Sequence, residues 1–174
     1  MTSLYKGAGQ PDKDLFSAYR SGDCRKSKYF KQITSSNTTL LKGGSNEFSC
    51  SIRTAELYLT AAEAALETGR DSLACDYLCR LLKNRYSASV WATYSMEIRG
   101  MSSSDLRSTI YRERRLELAF EGHRWFDLRR WNRPSLTKTY QGVTYTLDEN
   151  DTRYTIPFPA DVIQANPEIT RWNK

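Results

Sequence analysis

The sequence predicts a mainly α fold. It consists of tetratricopeptide-like antiparallel helix pairs, with an irregular N-terminal segment before them and a small C-terminal β-hairpin after them. Three observations lead to it. Apolar residues recur at helical spacing through two stretches separated only by a short turn at Gly69. A second helical stretch over 104–132 repeats that organisation about fifty residues further on, a looser period than strict tetratricopeptide arrays keep. Near the C-terminus, Val143, Tyr145 and Leu147 alternate with Thr144 and Thr146, which is the period of a strand.

Residues 1–52 are rich in Ser, Gly, Lys and Thr and show little periodicity. "ITSSNTTLLKGGSNEF" reads as exposed loop, with a strand over 29–34. So long an irregular segment needs a surface to pack on. The expected division is therefore 1–52 as a segment laid on a helical domain of 53–174. In "RTAELYLTAAEAALETG", Leu57, Tyr58, Ala61, Ala62, Ala65 and Leu66 share a helical face, and the alanines permit close approach by a neighbour. Gly69 suits a helix stop, and Asp71 or Ser72 a cap for the next helix. "SLACDYLCRLLKNRY" then aligns Leu73, Tyr77, Leu78, Leu81 and Leu82. So short a turn makes an antiparallel pair.

Residues 86–101 read as a connection carrying Trp91 and Tyr94. "SSSD" supplies caps for a third helix over 104–121, Gly122 interrupts it, and a fourth helix over 123–132 ends before Pro134. After the strand at 143–147, "DENDT" is the expected turn, "RYTIPFP" the returning strand and "ADVIQANPEIT" a short helix.

With 174 residues, 39% hydrophobic and 26% charged, the chain can bury a core as an ordinary globular domain. No run approaches the roughly eighteen apolar residues of a membrane span. The start "MTSLYKGAGQPDKDLF" lacks the apolar run of a signal peptide, which taken literally implies a cytoplasmic product. Net charge is +6 and the pI about 9.2, yet arginines alternate with glutamates instead of forming a basic tract, which argues for ion pairs over nucleic-acid binding. Cys24, Cys50, Cys75 and Cys79 form no CxxC and have no histidine near them, so they read as small buried hydrophobes and not as metal ligands. No cofactor-binding motif is present.

The densest chemistry lies in "YRERRLELAFEGHRWFDLRRW". Glu113, Glu117 and Glu121 repeat at four and share a helical face, where they repel one another unless cations answer them. Arg114, Arg115 and Arg124 are within reach along the chain, and Asp127 lies three residues from Arg124 and Arg130. Guanidinium forks suit partly buried pairing with carboxylates. Phe120, Trp125, Phe126 and Trp131 supply apolar surface around the pairs. The expectation is an ionic ladder that locks the third helix to its neighbours. The enzymatic alternative uses Glu113 and Glu117 as acid and base, or His123 as proton shuttle. Neighbouring arginines would hold those glutamates ionised, and "EGHRW" lacks the HExxH spacing of a zinc site.

The order of motifs resembles the C-terminal part of the SusD/RagB family of outer-membrane nutrient-binding lipoproteins. "SGDCRKSKYF" carries Asp23 and Arg25 of the family's D-x-R segment. "IRTAELYLTAAEAALETG" carries Arg53, Glu56, Tyr58 and Glu63. "IYRERRLELAFEGHRWFDLRRWN" carries the long signature: Glu113, Arg114, Arg115, Glu117, Leu118, Glu121, Gly122, Arg124, Asp127, Leu128, Arg130 and Trp131. "YTIPFPADVIQANPEIT" carries Pro157, Asn166 and Pro167, with Asp161 or a neighbour where the family has glutamate. "CRLLKNRY" departs from the family's second-helix pattern.

The resemblance implies a binding protein and not an enzyme: a tetratricopeptide-type helical array at the cell surface of the outer membrane, held by a lipid anchor. It implies a SusC-like TonB-dependent transporter barrel as partner, an oligosaccharide or peptide as ligand, and no cofactor. It also implies a chain about three times this length, so that this one reads as a C-terminal fragment, an excised domain or a shortened product without the anchor. The signature residues are expected to be scaffold. Ligand contact falls to exposed aromatic rings, Trp91 and Tyr94 first, then Tyr140 and Tyr145 on the hairpin. The alternative is a helical-repeat interaction scaffold with no small-molecule ligand of its own.

Overall fold

A computed structural model of the protein describes residues 13–34, 37–42, 52–156, 158–166 and 168. Among them are eight α-helices and two antiparallel strand pairs, so the fold is mainly α. The chain forms two compact units that meet between Gly122 and His123 in sequence.

The first unit begins with α1 (Lys13–Ser17) and α2 (Cys24–Tyr29), followed by β1 (Phe30–Thr34) and β2 (Asn37–Leu40) paired as a hairpin. The segment expected to be irregular thus contains local structure, and the strand expected over 29–34 is β1. Gly22 explains how the segment meets the helices. It has φ +78°, and a Cβ there would stand 2.5 Å from Val90 Cγ2. Its carbonyl accepts from Ser87 N at 3.0 Å, and Cys24 N donates to Arg85 O at 2.8 Å, so 22–24 is sewn to 85–87.

The main core is built from α3 (Thr54–Glu67), α4 (Asp71–Leu82), α5 (Ala88–Arg99) and α6 (Ser103–Glu117). Leu59, Ala62, Leu66, Ala74, Leu78 and Leu82 of α3 and α4 are at most 4% exposed. The turn between them is a Schellman closure. Gly69 takes φ +70°, Arg70 N donates to Ala65 O at 2.9 Å and Gly69 N to Leu66 O at 3.0 Å. Asp71 is the first residue of α4 and not its cap; its carboxylate instead accepts a hydrogen bond from the Ser103 hydroxyl.

The stretch 86–101 is not a connection but contains α5. Its apolar positions, Val90, Trp91, Tyr94 and Ile98, recur at helical spacing and pack on the core. Ser102 caps α6 by accepting from Asp105 N at 3.2 Å. That helix ends at Glu117, short of the expected 121, because the chain turns through Phe120 at φ 65° and Gly122 at φ 82°. A second cluster of Leu15, Tyr19, Phe30, Leu116 and Ala119 joins the N-terminal segment to the end of α6.

The second unit holds α7 (His123–Arg130), a hairpin of β3 (Leu136–Tyr140) and β4 (Val143–Leu147), a 3₁₀ turn over Thr152–Tyr154 and α8 (Ala160–Ala165). The partner of β4 is therefore the preceding segment and not "RYTIPFP". Gln141 and Gly142, at φ 49° and 79°, form a two-residue turn whose twist suits a hairpin. Tyr154, fully buried, stacks on Trp125 at 5.0 Å and its hydroxyl donates to Pro134 O, so the segment expected as a strand is a plug.

Candidate functional site

On α6 the inward stripe runs Leu106, Ile110, Glu113, Leu116 and Glu117, so two carboxylates occupy positions where a helix normally places apolar side chains. Glu113 and Glu117 are both 0% exposed. Burying a carboxylate is tolerated only when its oxygens are filled, and here every oxygen is. Glu113 Oε2 accepts from Arg25 Nη2 at 2.6 Å. Its Oε1 accepts from the Tyr86 hydroxyl at 3.1 Å, the Tyr94 hydroxyl at 3.0 Å and, at 3.4 Å, Arg112. Glu117 is gripped by the Arg85 fork, Nε and Nη2 each at 2.9 Å, with Arg53 Nη1 at 3.1 Å and Arg25 Nη1 at 3.3 Å.

Arg25 sits at the centre. Its backbone N and Nε donate to Asp23 Oδ1 and its Nη2 to Asp23 Oδ2, the last at 2.8 Å. One guanidinium thus makes four hydrogen bonds to three carboxylates, one more than the three N–H donors of a lysine could supply. Lower down, Glu121 receives Arg53 Nε at 3.1 Å, Arg53 Nη2 at 2.7 Å and the Lys42 ammonium. Lys42 Nζ also donates to the carbonyls of Glu117 and Ala119 at 2.6 and 2.8 Å, and the Tyr19 hydroxyl to that of Leu116 at 2.8 Å. Cations and a hydroxyl therefore close the carbonyl end of α6, where its dipole favours positive charge.

The electrostatics follow from this geometry. Burial opposes ionisation of Glu117, but the hydrogen bonds and charges of Arg85, Arg25 and Arg53 outweigh it and hold its carboxyl down to about 2. Burial, then the Glu113 charge, pushes the Tyr86 and Tyr94 phenols far above their ordinary range. Burial lowers Lys42, against which Glu121 acts. A carboxylate held ionised and saturated with donors is suited neither to giving a proton nor to attacking a substrate. The arrangement ties α2, α3 and the 85–86 turn to α6.

Residues 5–174 match the SusD family. The chain belongs to the SusD family. It is 32% identical over 122 residues to SusD-like protein P25 of Formosa agariphila, a match that covers 67% of this chain and 22% of that protein. It is 38% identical over 81 residues to SusD-like protein P2 of the same organism, covering 45% of this chain and 16% of that protein. The matched segments thus span less than a quarter of either relative.

The signature residues that suggested the family fall into three groups. Glu113, Glu117, Glu121 and Arg53 are in the buried knot, together with Asp23 and Arg25. Arg25, Lys42, Arg53 and Arg85, which answer these carboxylates, come from other elements, and Arg112 comes from α6 itself. Glu56 and Glu63 of α3 lie outside the knot: Arg114 turns instead to Glu56 at 3.6 Å and to Thr60 at 3.2 Å, and Glu63 is buried on the same helix. Arg115 is half-buried, with no ion pair among the described residues. In the second unit, Arg130 pairs with buried Asp127 at 3.1 Å as the spacing predicted, while Arg124 and Arg130 both lie over the Trp131 ring. Arg85, Tyr86, Lys42 and Arg112 were not singled out by sequence. They stand 27 or more residues from the carboxylates they serve, or, for Arg112, immediately beside one.

Of the aromatic candidates, Tyr94 is 1% exposed, its hydroxyl donates to Glu113, and Arg20 covers its ring at 4.2 Å. Trp91 is half-buried, packed on the core from one side and lining a surface cleft from the other. Tyr145 is 59% exposed on β4. The Tyr140 side chain, Cys50, Pro157 and Pro167 lie outside the described residues. No helix of the described residues is long and apolar enough to cross a membrane.

Proposed function

We propose that this chain works as part of a non-catalytic nutrient-binding component at the outer-membrane surface, capturing an oligosaccharide for a SusC-like TonB-dependent transporter. The match of residues 5–174 to the SusD family carries this reading. Two features of the chain agree with it. The most charged helix spends its carboxylates on internal arginines, leaving binding to surface groups. Trp91 supplies a half-exposed indole, the kind of surface on which the apolar face of a sugar ring stacks. Attachment to the membrane is through a lipid anchor in this reading, and a peptide is the alternative ligand.

The test is calorimetric titration of the full chain with neutral and acidic oligosaccharides and with peptides, followed by chromatography of the recovered ligand. Saturable binding of an oligosaccharide returned intact is the expected result. Cleaved ligand, or binding of peptides alone, overturns the proposal. Co-purification with an outer-membrane barrel protein from detergent extracts checks the transporter half separately.

A further inference from the structure

The groove between α4 and α5 has a composition that the buried knot does not explain. On α4 and its C-cap, Asp76, Arg80 and Lys83 stand at i, i+4 and i+7; on α5, Trp91, Ser95 and Arg99 stand at i, i+4 and i+8. Both stripes face one cleft of about 410 Å³, within the range of small-ligand sites. Its floor is the buried thiol of Cys79, which burial keeps protonated and uncharged. One end is closed by Arg99 Nη2 donating to Asp76 Oδ1 at 2.9 Å. A second link, from the Cys75 thiol to Ile98 O at 3.6 Å, holds the helices together at the same end.

The charges do not balance. Asp76 answers Arg99, while Arg80 and Lys83 have no ion pair among the described residues and are exposed. Complementing the helix dipole would account for a cation in the last turn of α4. It does not account for an indole and a hydroxyl on the facing helix, turned to the same space as two unanswered cations. Four kinds of group converge there: a flat apolar face (Trp91), a neutral hydroxyl (Ser95), a carboxylate acceptor (Asp76) and two free cations.

We propose that the α4–α5 groove binds an acidic sugar, one bearing a carboxylate or sulfate group, with the ring stacked on Trp91 and the anion held by Arg80 and Lys83. The inference rests on the oligosaccharide-binding reading above and adds to it a place and a ligand class. A neutral sugar would leave both cations unanswered. A small free anion would make no use of the indole.

The experiment titrates the full chain with oligogalacturonate, with a sulfated galactan oligosaccharide and with a neutral galactan oligosaccharide. It is repeated on Arg80→Glu/Lys83→Glu and on Trp91→Leu, which keeps an apolar side chain against the core but removes the ring. Circular dichroism confirms that each variant is folded. Expected is binding of at least one acidic probe ten-fold or more tighter than the neutral one, reduced ten-fold or more by either variant. Loss of uronate binding at acidic pH, with sulfate binding retained, separates the two anions. Equal affinity for neutral and acidic probes, or binding that neither variant changes, overturns the groove while leaving the oligosaccharide reading intact. Loss on charge reversal with none on Trp91→Leu also overturns it, because the cations would then attract polyanions without a sugar site. Absence of binding by any oligosaccharide overturns both.

Discussion

Between α3 and α4 the facing surfaces are Ala55, Leu59, Ala62, Leu66, Ala74, Leu78 and Leu82. On α6 the same inward geometry presents Glu113 and Glu117. The first contact is held by area removed from water and by close approach over small side chains, which needs no particular partner atom. The second is held by donors placed on Arg25, Arg53, Arg85, Tyr86 and Tyr94, and it fails if any one of them is elsewhere. An apolar contact tolerates repacking; a buried ionic contact demands one arrangement of α2, α3, the 85–86 turn and α6. That difference assigns the two regions different work: one supplies stability, the other fixes how the N-terminal segment meets the helices.

The largest expected effect breaks the ionic side. Arg25→Met leaves Asp23, Glu113 and Glu117 buried without their shared cation, and is expected to cost about 3–5 kcal/mol in urea unfolding. Arg25→Lys should recover little of it, because one ammonium lacks the fork that reaches all three. A loss within the range of ordinary surface substitutions would show that the knot is not what holds these elements. On the apolar side, Leu78→Ala is expected to cost about 2–5 kcal/mol, and Leu78→Met less than about 1.5 kcal/mol. Tolerance of the volume-conserving change at Leu78, against intolerance at Arg25, is the contrast in its sharpest form.

The same contrast governs what could be read from the sequence. The α3–α4 pair was legible because apolar spacing and a turn glycine are local signals, and Gly69 closes the helix as expected. The presence of an ionic cluster on α6 was legible too, from carboxylates at every fourth position. Its wiring was not. Charges at i+3 and i+4 suggest pairing along the helix, whereas Arg25 lies 88 residues from Glu113 and Arg85 lies 32 from Glu117. Only the fold brings them together. The helix α5 was hidden by a short apolar stripe among Ser, Thr and aromatic residues of modest helix propensity. In the second unit, "LTKTY" gives a weak strand signal and Gln-Gly a weaker turn signal than Asn-Gly, so β4 was paired with the wrong neighbour.

Acid should act on one side of the comparison and spare the other. Glu117 has a folded-state pKa of about 2, below the value of about 4.3 for an unfolded glutamate. A depressed folded value means that its stabilisation is present in full above the unfolded pKa. It is lost as pH falls from there towards about 2, with a total of roughly 3 kcal/mol. Urea midpoints measured at steps from pH 6 to pH 2 should fall over that window. In Glu117→Gln the fall should be smaller from a lower starting stability, and in Leu78→Ala the curve should run parallel to the wild type. A Glu117→Gln profile as steep as wild type would place the acid sensitivity in other carboxylates.

The smallest effect is expected where an ion pair lies at the surface. Arg20 and Glu97 meet at 2.9 Å with side chains 38% and 43% exposed, and Arg20 also covers Tyr94. Water and salt screen such a pair, and holding two long side chains together costs entropy. A double-mutant cycle of Arg20→Gln and Glu97→Gln should therefore return a coupling of about 0.2–1 kcal/mol that shrinks in molar salt. The cycle matters because Arg20→Gln alone also removes the cation over Tyr94, a loss that Glu97→Gln does not share. A coupling of several kcal/mol, unchanged by salt, would mean that the surface pair is wired into the knot through Tyr94 and Glu113. The boundary between the ionic region and the solvent-facing one would then have to be moved outward to Arg20.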